Sequence, residues 1–460
     1  MSGRAKSARR PPKLDNSSRN VSPARRAAFE ILRRVEEEDA FATVLLAAID
    51  EEMRGEDRAL CYEIVLGTLR WQLWLDALIE HYAGRGAEKI DRPVRRALRI
   101  GLYQLRFLTR IPVSASVNES VNLAYLARLH SAAGFINAVL RRAVREIDYN
   151  PTAKIDDALQ RLAIETSHPA WLLERWTKAF GSEETEKFAR SNNEAPPVAF
   201  RLTAKAFESG AILDELREGE AVITPSEIAP DAWRVVGAGA TVRKLVSEGL
   251  IYLQDEASQL VAHVVDARQG ERILDVCAAP GSKTTHIAAR APATARVVAC
   301  DLYEHRLRTV LETAKRTGEE RIDALAHDAT ATLPFTAQSF DCVLVDAPCT
   351  GTGTLRRNPE IRWRISELDI AELAQRQRRI LANAADAVRG GGRLVYSTCS
   401  VEPEENEEVI ASFLKDHTSF KQVNAGVPEV LRRADGSTAR TWPHRDGADG
   451  FFIAVFERQT

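Results

Sequence analysis

The chain has 460 residues, a formal net charge of −2, 45% hydrophobic residues and 28% charged ones. That length points to two or three domains, and the apolar content suffices for several cores. The near-neutral balance rules out a global basic surface, so any nucleic-acid contact must be local. No run of about 18 apolar residues occurs, so no membrane span is expected.

The N-terminus is locally basic: Met1 to Arg26 carries eight Lys/Arg against one acid. No apolar segment follows it, so a secretory signal is not expected. Residues 1–20 read as a disordered basic tail that aids solubility, with non-specific RNA contact as the sharper alternative. From 21 to 150 the pattern is helical throughout. Ser22-Pro23 reads as an N-cap followed by proline at the first helical position, and Ala28, Phe29, Leu32 and Val35 recur at helical spacing. The stretches ALCYEIVLGTLRWQLWLDALI, RPVRRALRIGLYQLRFL and GFINAVLRRAVREI fit further helices. No strand alternation interrupts them, so an all-α bundle is expected.

Residues 151–240 are mixed and predict a small α/β connector. HPAWLLERWTKAF and SEETEKFARSNN fit helices, and VAFRL after the break at Pro196-Pro197 fits a strand. From 241 to 460 strands and helices alternate. ERILDV, ARVVACD, DALAHD, FDCVLVD, GRLVYST, SFKQV and FFIAVFE are the strand candidates. Only a loop precedes FFIAVF, so that strand is expected to run antiparallel to its neighbour. The prediction is a doubly wound sheet with a reversed last strand.

In such a sheet, ligands lie beyond the carboxyl ends of the strands. After the first strand comes Cys277-Ala278-Ala279-Pro280-Gly281-Ser282-Lys283, whose small residues admit a ligand close to the backbone. Ser282 is expected to cap the next helix, whose free N–H groups suit a carboxylate or phosphate. Asp301, Asp328 and Asp346 are expected at the next three strand ends. One such Asp is commonly a turn former, but three in succession argue for a ligand site. Asp301 stands about where an acid meets ribose hydroxyls. The glycine pattern is not GxGxxG, which disfavours a dinucleotide. A nucleoside cofactor without pyrophosphate fits better, and S-adenosylmethionine is the leading candidate.

Cys61, Cys277, Cys300, Cys342, Cys349 and Cys399 are spread thinly, with no CxxC pair or Cys/His cluster. No metal site is expected. Free thiols in a reducing cytoplasm are expected instead, and free cysteines are ordinarily buried hydrophobes. Cys349 and Cys399 stand apart from that reading. They follow adjacent strands, in LVDAPCTGTGTLRRNPEIRWR and GGRLVYSTCSVEPEENEE. Two thiols beside a methyl donor suit methylation of a cytosine at C5. A thiolate adds to C6 and makes C5 nucleophilic. Positive charge such as Lys283 favours the thiolate, and Asp346 is suited to the N3/N4 edge of the base. A second base must later remove the C5 proton, and Cys349 is placed to serve.

LDVCAAPGSKT, VDAPCTGTGTLRRNPEIRWR and VYSTCSVEPEENE resemble the motifs of RNA cytosine-5 methyltransferases of the NOL1/NOP2/Sun type. ASVNESVNLAYLA, GFINAVLRR, HPAWLLERW and LQDEASQLV are similar to the bacterial small-subunit ribosomal RNA branch of that family, across nearly the whole chain after the tail. The resemblance implies a NusB-like helical RNA-binding domain, then the connector, then a Rossmann-like S-adenosylmethionine-dependent methyltransferase domain. It implies a 16S ribosomal RNA substrate, a cofactor loop over Cys277 to Lys283, a ribose acid at Asp301, an adenine-side acid at Asp328 and a further acid at Asp346. It makes Cys399 the nucleophile and Cys349 the thiol that helps release product. Spacing alone leaves that choice open, because DNA-type enzymes attack with the Pro-Cys thiol. Ser282 departs from the glycine of many members without expected loss.

Arg356, Arg357, Arg362 and Arg364 follow the Cys349 loop and are expected to bind RNA phosphates near a flipped base. The competing reading for them is a salt-bridged surface. For the whole chain the rivals are a tRNA substrate and a non-catalytic RNA-binding or antitermination factor. An amino-methylating enzyme would carry an Asn/Asp-Pro-Pro-aromatic motif in place of DAPC. A cytoplasmic monomer is expected.

Overall fold

The computed structural model describes residues 21–49, 53–206, 209–432 and 438–460. The expected basic tail, 1–20, lies outside the described residues. The chain divides into two compact units, Met1–Glu174 and Arg175–Thr460.

The first unit is helical across its described residues. Its main helices are Pro23–Glu37, Gly55–Arg70, Gln72–Ala83, Arg92–Phe107, Val113–Leu126 and Ala133–Arg145. Their apolar stripes meet in one core that includes Leu32, Ile64, Leu98 and Leu140. The long helical stretch through Trp71 is two helices. Trp71 leaves the helical conformation and stacks on Phe107 at 4.9 Å. The freed N–H of Leu73 is satisfied by Ser167 Oγ at 2.8 Å. Ser22 stands at the N-cap but does not cap with its side chain. Its hydroxyl accepts from Arg25 at 2.9 Å instead.

The second unit holds two sheets. The smaller comprises β1 (Val198–Leu202), β2 (Val222–Pro225), β3 (Ala232–Val236) and β4 (Ile251–Leu253), ordered β2-β3-β1-β4. All its pairings are antiparallel. Helices Ser209–Glu218 and Gly239–Glu248 close its core around Phe200, Leu216 and Leu245. This connector sheet runs past residue 240, because β4 has only three residues and shows no alternation in sequence.

The larger sheet comprises β5 (Arg272–Asp275), β6 (Arg296–Asp301), β7 (Ile322–Ala326), β8 (Phe340–Asp346), β9 (Val388–Thr398), β10 (Phe420–Val423), β11 (Thr438–Arg440) and β12 (Phe452–Arg458). Its order is β10-β12-β9-β8-β5-β6-β7, with β11 on β12. Strands β5 to β9 are mutually parallel, and β12 runs antiparallel to β9 as expected. Both faces are covered, which explains the near-continuous apolar runs. Cys342 and Leu344 belong to one core and Val343 and Val345 to the other. The strand order reverses between β5 and β8, and a ligand crevice belongs at that reversal.

Leu140 is fully buried in the helical core. Leu140→Ala should destabilise the protein by about 2–5 kcal/mol, read as a lower denaturation midpoint of the helical unit in urea.

Candidate active site

The parallel strands bring their acids to one edge. Asp275, Asp301 and Asp346 end β5, β6 and β8, while Asp328 lies two residues past β7. Beyond them is a cleft of about 280 Å³, lined among others by Cys277, Ala279, Asp301, Asp328, Asp346, Cys349, Arg376 and Cys399. Seven residues expected at the site therefore share one wall. Ala278, Pro280, Gly281 and Ser282 instead form the turn behind that wall. Gly281 is the N-cap of helix Ser282–Arg290 at φ 104°, so Ser282 occupies the first helical position and does not cap. That φ favours glycine, and a Cβ there would also approach Val310 to 3.1 Å.

Asp301 is held by its own loop. It accepts the N–H groups of Ala279 at 3.1 Å and Tyr303 at 3.3 Å, and pairs with Arg306 at 3.3 Å. Asp328 is exposed and accepts the N–H and hydroxyl of Thr330 at 2.9 and 2.8 Å. Those bonds hold its carboxyl below the usual range. Asp346 accepts from Lys283 Nζ at 2.6 Å and from Ser397 Oγ at 2.8 Å. Burial by itself lowers Lys283, but the adjacent Asp346 outweighs it and keeps the ammonium charged. Nζ also lies 5.1 Å from the centroid of the Phe451 ring.

Cys349 Sγ and Cys399 Sγ lie 3.3 Å apart. The hydrogen bond to Cys399 and then burial push the Cys349 thiol well above its usual range. At that separation the two sulfurs share a hydrogen bond that either can donate. Three other thiols are inert for a simpler reason. Burial pushes Cys61, Cys300 and Cys342 each up to about 12. Cys277 is likewise raised well above its range by burial and nearby carboxylates.

The expected RNA contacts need correction. Arg356 is 3% exposed and donates to Gly447 O at 3.0 Å and to Asp449 at 3.5 Å. Arg357 bridges Asp449 and Asp255, each at 2.7 Å, and donates to Pro197 O at 3.1 Å. Arg362 is fully buried and donates to Asn193 Oδ1 at 2.9 Å and Asn192 O at 3.3 Å. Turning Arg356 or Arg357 toward a phosphate would strand buried Asp449, which costs more than the contact returns. Arg364 is half-buried.

Sequence reasoning missed two groups at or near the cleft, Asp275 and Glu405. Asp275 is buried and accepts from Thr284 Oγ1 at 2.7 Å; as a fourth strand-end acid it was visible in ERILDV. Arg376 lines the cleft from helix Glu367–Ala387. Glu405 is buried inside an acidic run that reads as solvated.

A doubly wound sheet with strand-end acids and a thiol pair over one cleft defines a methyltransferase of the RNA-modifying class. The description "16S rRNA methyltransferase RsmB/F" matches residues 262–457, "NusB family" matches 22–145, and "Methyltr_RsmF/B-like, ferredoxin-like domain" matches 168–241. The probable ribosomal RNA small subunit methyltransferase B of Bacillus subtilis is 34% identical over 94% of this chain and 98% of its own. The ribosomal RNA small subunit methyltransferase B of Yersinia enterocolitica is 33% identical over 95% and 99%. The crystal structure of PH0851 superposes with a TM-score of 0.80 at 30% identity, covering 95% of this chain and 98% of that one. NSun6 from Pyrococcus horikoshii with SFG shares the fold at a TM-score of 0.57 and 20% identity, over 64% of this chain and 98% of that one. The chain belongs to the ribosomal RNA small subunit methyltransferase B family.

Among the described residues no helix is long and apolar enough to cross a membrane, and no cluster of three or more His, Cys, Asp or Glu is arranged to hold a metal.

Burial raises Asp275 from its ordinary 3.8 to about 7. The folded state then binds a proton that the unfolded state has released, so this group's contribution to stability falls as pH rises from about 4 to 7. Asp275→Asn should remove that loss. The melting temperature of the variant minus that of the wild type should grow across this window and level off above it.

Proposed function

We propose that the protein transfers a methyl group from S-adenosylmethionine to C5 of a cytosine in 16S ribosomal RNA, through a covalent bond between Cys399 Sγ and C6. The observation that carries this reading is the thiol pair: two sulfurs 3.3 Å apart at the rim of the cleft. The donor set suits the methyl donor. Asp301 and Asp328 are acceptors for ribose and amine donors, and Val276, Leu302 and Ile380 give the same cleft apolar walls. Bound there, S-adenosylmethionine supplies an electrophilic methyl group on a sulfonium.

Cys399 Sγ adds to C6, and the displaced electron pair moves into the ring. Lys283 and Asp346 stand beside the thiols to steady the N3/N4 edge. C5 then takes the methyl group. Once Cys399 is bonded to carbon, its charge no longer holds the proton on Cys349. Cys349 releases that proton to solvent and becomes the base. It takes the C5 proton, the C5–C6 double bond re-forms, and Cys399 leaves as thiolate. The starting pair is restored, with the proton on Cys349. The family relationship supports the ribosomal substrate, and the six free thiols suit the cytoplasm.

With substrate RNA and donor, Cys399→Ala should lose methylation and form no covalent complex. Cys349→Ala should attack but fail to release, leaving a protein–RNA band that survives denaturation. The reverse pattern on a denaturing gel would make Cys349 the nucleophile. Asp301→Ala should weaken donor binding by about 1–3 kcal/mol; unchanged affinity by calorimetry would refute the ribose role.

A further inference from the structure

Glu405 is a fully buried carboxylate that the chemistry above leaves unused. It ends the short turn Pro403–Glu405 that follows the Cys399 loop. Oε1 accepts the Thr350 N–H and the Gln377 amide, each at 2.9 Å. Oε2 accepts the hydroxyls of Thr350 and Ser400. Four donors converge on its two oxygens, and all four are neutral. Burying a carboxyl group on neutral donors costs more than an apolar brace would, so mere cohesion of two loops does not account for it.

The bonded residues are the neighbours of the thiols. Thr350 follows Cys349 and Ser400 follows Cys399. Gln377 also donates to Pro348 O at 2.9 Å, on the other side of Cys349. The two hydroxyls meet at 3.1 Å, and the Gly353 N–H donates to Cys399 O at 2.9 Å.

We infer that Glu405 is a positioning residue for the reaction: it fastens the residue after each cysteine to one carboxylate and so keeps the two Sγ atoms in contact. The inference rests on the thiol mechanism proposed above. Glu405→Ala removes all four bonds. Glu405→Gln keeps them, because its carbonyl can face Thr350 N–H and Gln377 while its NH₂ turns to the hydroxyls, which accept as well as donate.

The test reads geometry and turnover separately in the full-length protein. Diamide joins two thiols within reach as a disulfide and takes up their two hydrogens, becoming the hydrazine. In the wild type this should yield Cys349–Cys399, identified by peptide mass spectrometry. In Glu405→Ala the rate of that linkage should fall about tenfold and kcat about 100-fold, with KM for RNA and for donor within about twofold. Glu405→Gln should recover most of both losses. Wild-type linkage in Glu405→Ala, with or without a fall in kcat, overturns the inference. If Glu405→Ala does not fold, Thr350→Val removes one arm of the brace and should lower both rates; wild-type rates there also overturn it. The linkage rate needs no RNA. Absence of an adduct from Cys349→Ala would therefore strike the covalent reading alone, while the hold of Glu405 on the thiols is judged by diamide.

Discussion

The contact between Cys349 and Cys399 depends on a backbone fact. Strands β8 and β9 are parallel neighbours, with Asp346 opposite Ser397. The chains leaving them start side by side, so Cys349, three residues past Asp346, and Cys399, two past Ser397, can touch. Gly353 packs where the loops cross, and a Cβ there would come within 2.0 Å of Gly450 O. Sheet burial on both faces fixes the register, and the register fixes the sulfurs. A pair this close cannot carry two charges, so its proton belongs to the pair.

The rim of the sheet concentrates carboxylates. Asp275, Asp301 and Asp346 crowd a desolvated edge where Lys283 is the compensating ammonium, and Asp275 titrates near 7 as a result. A core built for stability alone would avoid this. Local rules of this kind are broken at functional sites and offset by the rest of the fold, here by two apolar layers that cover the sheet.

The arginines after Cys349 show the same economy turned inward. Arg356 and Arg357 neutralise Asp449, and Arg357 also reaches Asp255 at the start of helix Glu256–Val265. They stitch the loop after Cys349 to the segment before β12. Positive charge near a reactive thiol reads in one dimension as a phosphate clamp, because sequence does not reveal which acids lie across the chain. The acidic run after Cys399 misleads in the opposite sense. Glu402 and Glu405 point inward at a spacing of three, while Glu408 is exposed.

The sequence by itself determined the order of domains, the alternation of strands and helices, the reversed final strand and the strand-end acids. Each is written in local periodicity or in residue types that strand ends demand. It also singled out Cys349 and Cys399, through the motifs that hold them. Tertiary structure decided what depends on distance between remote residues. It put the sulfurs in contact. It broke the helix at Trp71 and placed Gly281, not Ser282, at the helix cap. It buried Glu405 under Thr350 and Ser400, withdrew Arg356 and Arg362 from the surface, and tied Arg357 to Asp255 and Asp449. Burial and pairing decide each of these placements, and both are properties of neighbours that the chain acquires only on folding.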